Sequence, residues 1–173
     1  LRSQKDHFLV LEVAKRLKNS HPDWTFHLVG KDSEDEYATE IKKRISEFEL
    51  AETVFIYGSK SDIGDILSQS AIGILTSKSE GLPVALLEYG LHQKPVVVTA
   101  VGELVSVIEN GVNGLLVPTE QVSSFYDALV QLIENEKFRL EQGIALYHTI
   151  KGKYSEEAVI GPYLKWLENT ILK

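Results

Sequence analysis

A doubly wound, parallel α/β sheet is the fold class predicted by this 173-residue sequence. Three observations carry that expectation. Helical and strand-like patterns alternate along nearly the whole chain. The strand candidates are short apolar runs, as expected when helices cover both faces of a sheet. Glycine or a polar turn follows these runs, gathering loops at one sheet edge, where ligands of such folds bind.

Ser3 with Asp6 has the pattern of a helix N-cap. Phe8, Leu11, Val13, Ala14 and Leu17 then form an apolar helical face to about Lys18. Pro22 breaks the chain before a strand at 25–29, which Gly30 closes. Ser33 and Glu36 read as a capping box for a helix reaching about Phe48. A strand at 53–57 ends at Gly58, and a short helix covers 62–69. The strand at 71–75 leads through a polar loop, 76–81, into a helix whose first turn holds Pro83. Residues 95–99 contain the buried-strand run Val96, Val97 and Val98, and a helix is expected at 103–109. Asn110, Gly111 and Gly114 mark a turn before the last strand, 115–117. Helices are expected near 121–134, 136–150 and 155–172.

The chain enters directly into a loop and helix, although a doubly wound sheet normally begins with its central strand. The first strand is therefore expected upstream of Leu1, and the sequence is expected to be part of a longer protein. With that strand restored the expected order is 3-2-1-4-5-6. The strands ending at Val29 and Leu75 should flank a gap, or a strand from outside this set.

Composition narrows the function. An apolar content of 43% with 25% charged residues fits a soluble globular core and excludes disorder for most of the chain. No apolar run reaches the ~20 residues of a membrane-spanning helix. The formal charge of −7 argues against non-specific nucleic-acid binding, which needs a basic footprint. Cysteine is absent, which removes disulfides, thiolate metal sites and thiol nucleophiles. His7, His21, His27, His92 and His148 show no i, i+4 pairing, so no metal site is expected. Neither a dinucleotide-binding glycine motif, a P-loop nor a nucleophile elbow occurs. The acids Asp32, Glu34, Asp35 and Glu36 suit the positive end of a helix.

The informative segment begins at Glu80, in a loop on the ligand side. Gly81 permits close backbone approach, and the N–H groups at Val84 and Ala85 would point back at the cleft as an anion site. Glu88 follows a turn and a half into the helix, between leucines 86, 87 and 91, which are expected in the core. A carboxylate there needs partners, and a vicinal diol could supply two hydroxyl donors. The competing structural reading pairs Glu88 with a basic neighbour and leaves Glu80 as a solvated loop acid.

Glu80 and Glu88, with seven residues between them, resemble the E-x7-E motif of the retaining family 4 glycosyltransferases, which have the GT-B fold. The resemblance extends to Phe55-Ile56-Tyr57-Gly58, Asp62-Ile63, Ile72-Gly73-Ile74-Leu75-Thr76-Ser77, Lys94-Pro95-Val96-Val97 and Asn113-Gly114-Leu115-Leu116-Val117-Pro118. Ser3-Gln4-Lys5-Asp6-His7 resembles that family's phosphate-binding loop. It covers essentially all of the chain, read as one nucleotide-sugar-binding domain over 1–173.

The resemblance implies the C-terminal half of an enzyme whose acceptor binds a separate N-terminal domain, absent from this sequence. It implies a nucleoside-diphosphate-sugar donor, UDP-linked by preference, and a saccharide or lipid-linked acceptor. No cofactor or metal is implied, and 1–173 alone should lack transferase activity. The implied location is cytoplasmic, with peripheral membrane attachment open for the full-length protein. Lys5 matches the lysine on the donor diphosphate; Arg2 stands near, though not at, its arginine partner. Gly58, Lys60 and Asp62 match the loop beside the nucleobase. Glu80 matches the acid on the donor sugar. Gly81, Leu82, Pro83 and Val84 match the backbone lining sugar and phosphates. Glu88 matches the acid holding the ribose hydroxyls. Leu82-Pro83 departs from a common aromatic-glycine pair, and Pro83 removes one donor. Gln93 and Glu103 replace glycines. The C-terminal helix is expected to present Tyr163, Trp166 and Leu167 to the other domain.

Two alternatives stay open at this point. One is another GT-B enzyme, a nucleotide-sugar epimerase or a phosphorylase. The other is a flavodoxin-like binding module such as a receiver, which would need carboxylates where these strand ends carry Gly30, Gly58 and Thr76-Ser77.

Overall fold

The computed structural model describes residues 1–171. Its strands are β1 (Phe26–Leu28), β2 (Val54–Ile56), β3 (Gly73–Leu75), β4 (Val96–Thr99) and β5 (Leu115–Val117). The helices are α1 (His7–Ser20), α2 (Glu36–Glu47), α3 (Ile63–Gln69), α4 (Val84–Leu91), α5 (Leu104–Val107), α6 (Val122–Glu134), α7 (Glu136–Tyr154) and α8 (Glu156–Ile171). Each expected element is present. The last residues of the expected C-terminal helix, 172–173, lie outside the described residues.

All strand pairs are parallel. β1 pairs with β2, with Phe26 opposite Val54, and β4 lies between β3 and β5. The pairing thus splits into two sheets, and β1 and β3 do not touch as strands. Between them lies a cavity of about 350 Å³ whose apolar lining includes Val10, Leu28, Ile74, Leu75, Ala85 and Tyr89. This is the gap expected between those two strands.

Side-chain alternation along β4 divides the core into two layers. Val97 joins Leu11, Leu17, Ile41, Phe125 and Leu132, from α1, α2 and α6. Val96 and Val98 join Leu86, Leu104, Leu146 and Ile150, from α4, α5 and α7. With both faces covered, all four residues of β4 are buried, so its sequence is an unbroken run rather than an alternating one.

Four local expectations are corrected. Ser3 does not cap a helix: Ser3–Lys5 form a separate 3₁₀ turn, and α1 starts after Asp6, which adopts a left-handed conformation and makes no side-chain cap bond. This turn is tied to the far side of the gap, because Gln4 Nε2 donates to the Ser79 carbonyl and Thr76 Oγ1 to the Lys5 carbonyl. At α2 the cap is Asp35, whose carboxylate accepts from the Ala38 N–H at 2.9 Å, and not Ser33. Pro83 stands at the N-cap of α4, one position before the first turn. Of the three leucines around Glu88, Leu86 is fully buried but Leu91 is exposed at the helix end.

α8 has no buried residue. Tyr163 and Trp166 are 55% and 56% exposed, with their rings stacked at 6.0 Å, and Leu167 is half-buried. Val159, Ile160 and Leu164 extend the exposed apolar surface.

Candidate functional site

Parallel pairing aligns the carboxyl ends of the strands within each sheet, and the ends of β1 and β3 line one cavity together with Lys5. Two of the candidate residues meet there directly. Lys5, at the end of the 3₁₀ turn, places Nζ 2.5 Å from Glu80 Oε1. The same oxygen accepts a hydrogen bond from Ser77 Oγ, also at 2.5 Å. The Glu80 side chain is only 7% exposed, so it is not the solvated loop acid of the structural reading.

The loop that carries Glu80 is held from both sides. On one side Gln4 accepts the Lys78 N–H through its carbonyl and donates through Nε2 to Ser79. On the other, the buried Thr99 hydroxyl donates to the Ser77 carbonyl at 2.6 Å. Gly102, at φ +50°, lies so close that a Cβ there would overlap the Glu80 carbonyl oxygen. Only glycine suits that combination of left-handed backbone and close approach.

Glu88 is half-buried on α4, and its carboxylate has no hydrogen-bond or ion-pair partner among the described residues. Its charge helps burial push the neighbouring Tyr89 hydroxyl up to about 12. The expected basic partner of the structural reading is therefore not found among them.

The other candidates divide into two groups. Arg2 joins Lys5 and His7 around the mouth of the cavity between β1 and β3. Gly81, Leu82 and Val84 are exposed around the α4 N-terminus, and Pro83 is buried. The first N–H groups of α4, at Val84 and Ala85, lack acceptors within the helix. Gly58, at φ +70°, closes β2, while Lys60 and Asp62 are exposed. These three share no hydrogen bond or ion pair with Lys5, Glu80 or Glu88 among the described residues. Their loop nevertheless runs into α3, where Gly64 faces the His92 ring, one turn beyond Glu88.

Sequence reasoning named Gln4 and Ser77 only within longer segments, and singled out neither them nor Thr99 as supports of Glu80. The available signal was polar residues at the ends of otherwise apolar strands, with Ser77 and Thr99 fully buried.

His7 adds a titratable group. Burial above all, helped by the nearby positive charge of Lys5, lowers its pKa to about 4. Its main-chain N–H donates to the Tyr37 hydroxyl, which lies 3.2 Å from Nδ1. Between about pH 6.5 and 4 the unfolded chain binds a proton at this histidine that the folded chain refuses. Stability should be fully retained above about pH 6.5 and fall on acidification through that window, by about 3 kcal/mol in total. Urea unfolding at about pH 7 and pH 4.5 should show a smaller acid loss for His7→Asn. An unchanged difference would remove His7 as its source.

Residues 1–148 match the family model of glycosyl transferases group 1. The poly(ribitol-phosphate) alpha-N-acetylglucosaminyltransferase of Staphylococcus aureus is 28% identical over 160 residues, covering 92% of this chain and 31% of that protein. The structure of a mutant S. aureus TarM in complex with fondaparinux, alpha-GlcNAc-glycerol and UDP superposes with a TM-score of 0.84 at 26% identity. That superposition covers 94% of this chain and 32% of the TarM chain. Anabaena Alr3699/HepE in complex with UDP shares the fold, with a TM-score of 0.91 at 20% identity over 98% of this chain and 46% of its own. The chain thus spans about a third of the length of the S. aureus relative.

Proposed function

Because this chain belongs to the glycosyl transferases group 1, we propose that it is the donor-binding half of a retaining glycosyltransferase of hexosyl type. The intact protein would move a sugar from a nucleoside-diphosphate sugar, UDP-linked by preference, to a saccharide or lipid-linked acceptor on a second domain. The observation that carries this reading is the half-buried Glu88 carboxylate without a partner among the described residues, on the helix whose N-terminus adjoins Glu80 and Lys5. The UDP bound to the S. aureus structure supports the choice of nucleotide. Membership of an enzyme family decides against the binding-module alternative.

In this reading, Glu88 accepts the two ribose hydroxyls and Glu80 contacts the donor sugar. Arg2, Lys5 and the backbone at Gly81, Leu82, Pro83 and Val84 surround the diphosphate, and Gly58, Lys60 and Asp62 border the base. As the sugar–phosphate bond breaks, the leaving diphosphate gains negative charge. Lys5 and the positive end of α4 meet that charge. The Lys5 ammonium would then exchange its contact with Glu80 for the phosphates. The exposed strip with Tyr163 and Trp166 on α8 is assigned to the acceptor-binding domain. Among the described residues no helix is long and apolar enough to cross a membrane; the proposed location is cytoplasmic or peripheral to a membrane.

Calorimetric titration of the chain with UDP, GDP, ADP and their sugars tests this. Weak, EDTA-insensitive binding of UDP is expected, since only one wall of a two-domain cleft is present. Glu80→Ala should spare UDP and weaken the UDP-sugar by about tenfold, the worth of one hydrogen bond to a charged group. Absence of any nucleotide binding, or its abolition by EDTA, would overturn the reading.

A further inference from the structure

Lys5 is asked to meet two anions. Its Nζ sits on Glu80 Oε1 at 2.5 Å, yet the proposed function needs the same ammonium at a diphosphate. Lysine carries its charge on a flexible four-carbon stem, so moving between them is easy. Something other than Lys5 must then keep the Glu80 carboxylate in place.

Ser77 is placed to do so. It is fully buried, just beyond β3 and three residues before Glu80. Its hydroxyl donates to Oε1 at 2.5 Å. Its own main chain is fixed, because Thr99 Oγ1 donates to its carbonyl at 2.6 Å. The contact of Gly102 with the Glu80 main chain holds the other end of this short segment. A carboxylate offers about four acceptor sites, two on each oxygen. Ser77 and Lys5 occupy Oε1, and Oε2 has no donor among the described residues.

We infer that Ser77 is a positioning residue that anchors Oε1 of Glu80 and thereby presents Oε2 to the hydroxyls of the donor sugar. The inference rests on the reading of Glu80 as the donor-sugar contact. It assigns Ser77 a part in telling a nucleotide sugar from the bare nucleotide, without touching either. Thr99 acts one step further back, on the main chain of Ser77.

The test is a double-mutant cycle on the 173-residue chain. UDP is titrated beside UDP-glucose, UDP-galactose and UDP-N-acetylglucosamine, and the tightest of the three sugars is used for the cycle. Ser77→Ala should leave UDP affinity unchanged and weaken the UDP-sugar about 3- to 10-fold, the range of one net hydrogen bond. In a Glu80→Ala background the same change should add nothing, because the group it positions is gone. A structural role alone would weaken both ligands alike, or act equally in both backgrounds; either result overturns the inference. Ser77→Cys keeps an atom at the hydroxyl position, somewhat larger and a much weaker donor, and should reproduce the sugar-specific loss if Ser77→Ala folds poorly. A Glu80→Ala effect on the UDP-sugar with none from either Ser77 variant defeats the inference alone. Unchanged UDP-sugar binding by Glu80→Ala defeats the reading of Glu80 and the inference with it.

Discussion

Glu88→Ala should weaken UDP binding about 10- to 150-fold, the equivalent of losing ~1.5–3 kcal/mol in hydrogen bonds to a charged group. The loss should be equal for UDP and for a UDP-sugar, because the ribose is common to both. The structure makes this a clean experiment. Glu88 forms no hydrogen bond or ion pair with the described residues through its carboxylate, so its truncation orphans no donor among them. Its neighbour Leu86 anchors α4 in the core, so the helix should keep its place. Thermal stability should therefore change little, and isothermal titration should report binding alone. If Glu80→Ala instead controlled UDP and Glu88→Ala were indifferent, the two carboxylates would be assigned in reverse. If neither mattered, both would return to structural roles.

Lys5→Ala should act on binding and on stability together. Removing the proposed diphosphate contact should weaken UDP binding by at least about tenfold. The same change strips the cation from a Glu80 carboxylate that is only 7% exposed. Removing one partner of a buried pair leaves a charge with too little compensation. Because Lys5 itself is 38% exposed, the expected cost is about 1–3 kcal/mol rather than the larger value of a fully buried pair. Combining Lys5→Ala with Glu80→Ala should restore most of the stability without restoring UDP binding. Urea unfolding and calorimetry on the parent, the two single variants and the double variant check both halves. A double variant no more stable than Lys5→Ala would show that the pair contributes nothing through charge.

The contrast between Glu80 and Glu88 shows how much of the site was legible beforehand. Their spacing, the loop position of Glu80 and the apolar setting of Glu88 are all local properties, so the sequence pointed to both. Of the partners of Glu80 only Ser77, three residues away, is local. Lys5 lies 75 residues away in the chain, and Thr99, which fixes Ser77, comes from another strand. No periodicity or cap signal connects such positions. That Gly102 meets the Glu80 main chain is likewise visible only in the folded structure.

Short-range pattern was enough to specify the parallel α/β class, the order of the elements and the gap between β1 and β3. There are few ways for apolar strands and amphipathic helices to cover one another. Pattern was not enough to say which polar group caps α2, where the first helix begins or what Glu80 touches. Asp35 takes the cap from Ser33, and the Ser3–Lys5 turn is drawn across the gap by Gln4 and Thr76. The physical reason is the same in each case. Local preferences among capping residues differ by about 1 kcal/mol or less. Hydrogen bonds made between distant segments when the sheets and helices pack are of that size too. Packing of the whole chain therefore selects among local choices that are nearly equal, and those choices build the site.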